Sequence, residues 1–171
     1  MEYIVITGAS SGIGNCLSKL LAKNGLFVLA IARTESKLQE LKSLYPHNIE
    51  YIVSDVGTEE GRTNILKQLP LNFELKYLVH SAGVLDPVGQ LRDLTYEDWR
   101  KNVGVNLEAP IFLTQKLLKF MSKGSRVLNI STGAAHKAIP GWTSYCVTKS
   151  ASYMLYQCLK TDLAEQGILY G

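Results

Sequence analysis

Short apolar runs alternate with longer amphipathic ones along the whole chain. The runs YIVIT (3–7), LFVLAIA (26–32), IEYIVS (49–54), KYLVHS (76–81) and RVLNIS (126–131) predict strands. They are rich in Val, Ile and Leu and do not alternate with polar residues. That is the pattern of a parallel sheet covered on both faces. Helical periodicity fills the intervals near 12–24, 35–44, 59–69, 96–121 and 143–166. Strand and helix in alternation predict an α/β fold with a doubly wound parallel sheet. No repeat, linker or low-complexity stretch interrupts the pattern, so residues 1–171 read as a single domain.

Composition narrows the partners. The net charge is +3, and the Lys and Arg are scattered rather than clustered. This leaves no electrostatic footprint for nucleic acid or an anionic membrane. The longest apolar run, Leu26 to Ala32, is too short to span a bilayer. MEYIVITG enters the first strand directly, with no basic or apolar leader ahead of it. Cys16, Cys146 and Cys158 show no C-x-x-C spacing and read as reduced thiols, which predicts a cytoplasmic protein. His47, His80 and His136 have no ligand-like spacing, so no metal is expected.

The first loop carries the first chemistry. TGASSGIG, Thr7 to Gly14, joins the first strand to the first helix. Gly8, Gly12 and Gly14 allow close backbone approach, and the free N–H groups of a helix N-terminus attract anionic oxygens. The turn therefore predicts a pyrophosphate site and a Rossmann-like fold, with Ser10, Ser11 and Ile13 beside the glycines. The second strand ends AIARTES. Ala32 stands where an acidic residue would hold the ribose 2′-hydroxyl of NAD, and Arg33 follows it. A missing carboxylate and an added guanidinium favour NADP(H) over NAD(H), with Glu35 nearby as the opposing sign.

With these motifs in order the chain resembles the short-chain dehydrogenase/reductase family over essentially its full length. TGASSGIG matches the family's cofactor loop. Asp55 and Val56 stand where the family contacts adenine after the third strand. Ser81, Ala82 and Gly83 occupy its Asn-Ala-Gly position, with Ser81 as a departure. Asn106 sits in VNL, and Tyr145-x-x-x-Lys149 follows NIST. The family's catalytic serine stands thirteen residues before the tyrosine; here that position is Thr132, with Ser131 one place earlier as its rival.

The resemblance implies hydride transfer between a nicotinamide cofactor and a carbonyl or alcohol carbon of a small molecule. Tyr145 would act as general acid, with Thr132 or Ser131 on the substrate oxygen. Phenols titrate near ~10, and a cation one helical turn away favours the phenolate. Lys149 supplies that cation. Asn106 joins by resemblance, through a main-chain carbonyl that binds a water. A local reason exists for that carbonyl to be free. Pro110 stands four residues on and has no N–H to give it, which predicts a break in the helix at 106–110. Thr95 and Asp98 predict a capping box at the start of the same helix.

The helices IFLTQKLLKFM and TSYCVTKSASYMLYQCLK carry more apolar surface than one sheet contact needs. The family commonly pairs through them, which implies a homodimer or homotetramer. AGVLDPVGQL and NISTGAAHKAIPGWTSYC are similar to the benzil and sepiapterin reductase-like carbonyl reductases. That implies reduction of a ketone or diketone with NADPH, with Trp142 as a candidate pocket wall. The chain stops at GILYG, inside the sixth strand. The resemblance implies a further turn, substrate loop and strand, so the expected sheet lacks its C-terminal strands and the pocket lacks one wall. A competing reading is a non-catalytic NADP-binding redox sensor or interaction module. A nucleotide-sugar epimerase fits the glycine spacing and length poorly.

Overall fold

The structure, a computed structural model, describes residues 2–171. Strand β1 (Glu2–Thr7) explains the apolar runs. Its side chains alternate between two cores, Tyr3 and Val5 on one face, Ile4 and Ile6 on the other. Strand β2 (Phe27–Ala32) divides in the same way. A strand buried on both faces has no place for a polar alternation.

Four further strands complete one parallel sheet: β3 (Ile49–Val53), β4 (Glu74–His80), β5 (Met121–Asn129) and β6 (Leu169–Tyr170). Their order is β3-β2-β1-β4-β5-β6. Helices α1 (Gly12–Lys23) and α2 (Glu35–Leu44) supply Ala22, Leu38 and Leu41 to the core on one face. Helix α3 (Glu59–Lys67) brings Ile65 to the other core. Helix α4 (Tyr96–Val103) leads into α5 (Ala109–Leu117), which adds Leu113 and Leu117 to that same core. Helix α6 (Thr143–Asp162) follows, with Tyr156 and Leu159 against it. The doubly wound sheet with helices on both faces is the expected fold class. No helix among the described residues is long and apolar enough to cross a membrane.

Two stretches depart from simple periodicity. The helix expected over 96–121 is interrupted by a π-helical turn, Gly104–Glu108. There the Ala109 N–H bonds to the Gly104 carbonyl, five residues back. Pro110 cannot close an α-turn on Asn106, so the widened turn falls at the expected break. The Thr95 cap also forms: its hydroxyl oxygen accepts from the Asp98 N–H at 3.1 Å and its hydroxyl donates to the Asp98 carboxylate at 2.6 Å.

Strand β5 begins at Met121, ahead of the expected start at 126. The added residues, MSKGS, are mostly polar and read as loop. They pair only through an irregular register, in which Leu75 matches Met121 and Tyr77 matches Arg126. Gly124, at φ 90°, lets the strand fold over this bulge, and Ser125 Oγ donates to the Leu75 carbonyl at 2.9 Å.

Candidate active site

The strand order turns back between β1 and β4, and the crevice at their C-terminal ends is where such a sheet receives a ligand. Thr7 ties the two strand ends together. Its hydroxyl oxygen accepts from the Ser81 and Ala82 N–H groups at 3.2 and 3.1 Å. Gly8 follows at φ 69°, and a Cβ there would lie 2.8 Å from the Ala82 backbone. Gly12, at φ 53°, has open space around it, so conformation rather than crowding calls for glycine. The N-cap Ser11 makes no side-chain bond to the first turn of α1, which leaves that turn's N–H groups facing the crevice.

Gly8, Ser10, Ser11, Gly12 and Ile13 form one wall of this cleft. Arg33, Asp55 and Val56 form a second, and Ser81, Ala82 and Gly83 a third. Of the expected cofactor residues Gly14 does not line it, nor do Tyr145 and Lys149, the residues expected to hold the nicotinamide end. A Cβ on Gly14 would sit 2.6 Å from the Gly8 carbonyl oxygen, so its role is to let α1 approach the loop. Arg33 is more than half exposed and lies 3.8 Å from Asp55, free to meet an anion. A glycine cradle, an uncapped helix N-terminus and an exposed guanidinium fit the phosphates of a nicotinamide dinucleotide.

The candidate chemical residues gather on α6 and the turn after β5. Lys149 is 6% exposed, and its Nζ donates to the Ile130 carbonyl at 2.9 Å. Ile130 lines the cleft. The same Nζ lies 5.9 Å from the centroid of the Tyr145 ring. Burial holds the Lys149 ammonium below the usual lysine range. Trp142 meets Tyr145 edge-on, with ring centroids 5.7 Å apart.

Thr132 caps a short turn, Gly133–Ala135, by accepting from the Ala134 N–H at 3.3 Å. Its hydroxyl proton stays available to a substrate oxygen. Ser131 is exposed beside it.

Asn106 is 1% exposed. Its amide clasps Val84, accepting from the Val84 N–H at 2.9 Å and donating to the Val84 carbonyl at 2.8 Å. It also reaches Thr148 Oγ1 at 3.2 Å, one residue from Lys149. The π turn is thereby joined to the strand β4 exit and to α6.

Sequence reasoning passed over two buried residues here. His80 is enclosed, with Nε2 2.9 Å from Thr114 Oγ1 and Nδ1 without a partner among the described residues. Burial, helped by the Lys149 charge, lowers its pKa to about 3. Arg62 is 3% exposed. It donates to the Val56 carbonyl at 2.9 Å and pairs with Glu59 and Glu108 at 3.3 and 3.8 Å. A charged residue inside a polar stretch, EEGRTN, gives no periodic sign of such burial.

Comparison with known proteins agrees with this geometry. The family model described as short chain dehydrogenase matches residues 2–170. A Bacillus cereus benzil reductase ((S)-benzoin forming) is 30% identical over 175 residues, covering 97% of this chain and 70% of that protein. An L-xylulose reductase of Caenorhabditis elegans is 35% identical over 177 residues, covering 98% of this chain and 68% of that one. Among solved structures, the closed form of serine dehydrogenase complexed with NADP+ superposes with TM-score 0.88 at 25% identity. That match covers 98% of this chain and 68% of the other. The chain belongs to the short-chain dehydrogenase family of oxidoreductases.

Proposed function

We propose that the protein is an NADPH-dependent reductase of ketones or diketones, with Tyr145 as its general acid. One observation carries the reading. Lys149 bonds to the carbonyl of Ile130, a wall of the nucleotide cleft, while its ammonium stands over the Tyr145 ring. The cleft and the acid are thereby linked through a single buried cation.

When bound, the nicotinamide cofactor supplies the hydride for the carbonyl carbon. The chain's residues do the rest. The loop Gly8–Gly14 holds the pyrophosphate on its backbone N–H groups. Arg33 receives the 2′-phosphate, and Asp55 and Val56 flank the adenine. Thr132 donates a hydrogen bond to the substrate oxygen, with Ser131 as the competing donor. The Tyr145 hydroxyl gives its proton to that oxygen as negative charge develops there. Lys149 stabilises the phenolate left behind. The Asn106 amide fixes the π turn against Val84 and Thr148, which sets α6 and Lys149 in place.

Trp142, which meets the Tyr145 ring edge-on, supports an aromatic substrate by offering an aromatic wall beside the acid. The benzil reductase relative, which shares 30% identity, supports an aromatic diketone. Oxidation of NADPH in the presence of benzil and a panel of ketones tests the reading, with Tyr145→Phe as control. NADPH binding without turnover on any carbonyl would favour a non-catalytic sensor instead.

Two further expectations belong with this reading. Phe112 on α5 and Val147, Tyr153 and Met154 on α6 are exposed apolar residues, and they support pairing of two copies through these helices. Sedimentation of the purified chain tests it. The free thiols of Cys16, Cys146 and Cys158 support a reducing, cytoplasmic setting.

A further inference from the structure

We infer that Arg62 is a positioning residue that locks the nucleotide side of the cleft to the π turn carrying Asn106. The inference rests on the nucleotide reading above and concerns how that site is held together.

Two segments far apart in sequence meet here at two glycines, Gly57 and Gly104. One is the loop 55–57 after β3; the other is the π turn Gly104–Glu108. A Cβ on Gly104 would lie 2.5 Å from the Gly57 carbonyl oxygen. A Cβ on Gly57 would lie 2.7 Å from Val105 Cγ2. At Gly104 backbone rests on backbone, and at Gly57 the backbone rests on the stiff, β-branched Val105 side chain, so a shift of one segment is felt by the other.

Arg62 closes the contact from behind. One nitrogen of its buried guanidinium donates to the Val56 carbonyl, in the first segment, at 2.9 Å. Another lies 3.8 Å from Glu108, the last residue of the second. The planar fork thus spans both segments, a task for which a lysine's single ammonium is poorly shaped. Its face rests 5.5 Å from the centroid of the Phe112 ring on α5.

The first segment is also wired to the ligand side. The Asp55 carboxylate accepts from the Gly57 N–H at 2.9 Å and pairs with Arg33 at 3.8 Å. An adenosine 2′-phosphate that engages Arg33 acts on Asp55, hence on Gly57 and the turn beneath it. At the far end of that turn Asn106 holds Thr148, the neighbour of Lys149. Occupation of the adenosine end therefore orders the turn that positions the proton-transfer residues. A role for Arg62 confined to packing α3 on α5 would stabilise the fold without this dependence on ligand.

Hydrogen exchange with 2′,5′-ADP as the probe separates the two, since this fragment fills only the adenosine end. In the wild-type chain, binding slows exchange of the amides in 104–109 by about fivefold or more. In Arg62→Gln and in Glu108→Gln the nucleotide still binds and still protects 8–14, but the protection of 104–109 is lost. Glu108→Gln carries the comparison if Arg62→Gln does not melt cooperatively, because it leaves the Arg62 bond to Val56 intact. Protection of 104–109 that persists in the folded variants, or that is missing in the wild-type chain with nucleotide bound, overturns the coupling alone. Failure of 2′,5′-ADP and NADPH to bind the wild-type chain overturns the nucleotide reading, and the coupling with it.

Discussion

The Lys149 ammonium stands 5.9 Å from the centre of the Tyr145 ring while it donates a 2.9 Å hydrogen bond to the Ile130 carbonyl. The lysine is buried, so its charge acts on its neighbours with little screening by water. The Ile130 bond fixes where that charge sits. Replacing Lys149 by Met keeps the unbranched apolar stem, one atom shorter, and removes the charge. We expect kcat for carbonyl reduction to fall by roughly 10²-fold or more, the scale of acid–base assistance. Circular dichroism should show the fold retained.

Arg33 determines the nucleotide preference in this account. Its side chain is exposed at the cleft wall and loosely paired with Asp55. Arg33→Ala removes a charge-assisted contact worth about 1.5–3 kcal/mol, roughly tenfold to a hundredfold in affinity. Fluorescence titration should show the dissociation constant for NADPH rising by that factor and the one for NADH changing little.

Gly104 meets the Gly57 carbonyl so closely that any side chain must move backbone. Gly104→Ala should cost roughly 1–3 kcal/mol of stability, the scale of core overpacking. Gly89 is the control, since nothing lies within 4 Å of a Cβ placed there. Gly89→Ala should be close to neutral in a urea melt.

His80 gives the fold a pH dependence. Its pKa is lowered to about 3 in the folded chain, mainly by burial, while an unfolded histidine titrates near ~6.5. Above the unfolded value both states are neutral and His80 adds no pH slope. As pH falls below it, the unfolded chain takes a proton that the folded chain refuses. Stability therefore declines with acidification, by about 1.4 kcal/mol per pH unit from this group, until the folded value is reached. Urea melts at intervals from pH 7 to pH 4 should show this slope in the wild-type chain. The slope should be smaller in His80→Gln. Equal slopes in the two proteins would contradict the assignment.

How much of this was legible in the sequence depends on how local each cause is. The runs around Val5 and Leu29 announce a doubly buried sheet because burial on both faces leaves its mark residue by residue. The break near Asn106 was legible for a similar reason. Pro110 lacks a donor, and the lost bond lies four residues away in the same helix. The form of the break, a π turn, was not, since the missing donor does not say how the turn re-forms, and Gly104 there seats against Gly57 from another part of the fold.

Arg62 and His80 escaped for the same reason. The burial of Arg62 depends on Glu108 and Phe112, which only the packing of α3 against α5 brings near. His80 ends an ordinary apolar strand, and its enclosure depends on Thr114 of α5. The start of β5 was missed because Ser122, Lys123 and Gly124 are loop-like residues drawn into the sheet edge by a bulge. The cofactor loop, in contrast, is contiguous, so its glycines carry their conformational message directly. Gly14 shows the limit: its spacing marks it for the ligand, while the fold uses it to seat α1 on Gly8.

The central claim is that Tyr145 gives a proton to a carbonyl oxygen in a cleft that holds NADPH. Its most direct test is the rate of NADPH oxidation with benzil, measured for the wild-type chain and for Tyr145→Phe. The account predicts carbonyl-dependent oxidation in the wild type and a loss of roughly 10²-fold or more in the variant, with NADPH affinity unchanged. Equal rates in the two proteins would contradict it.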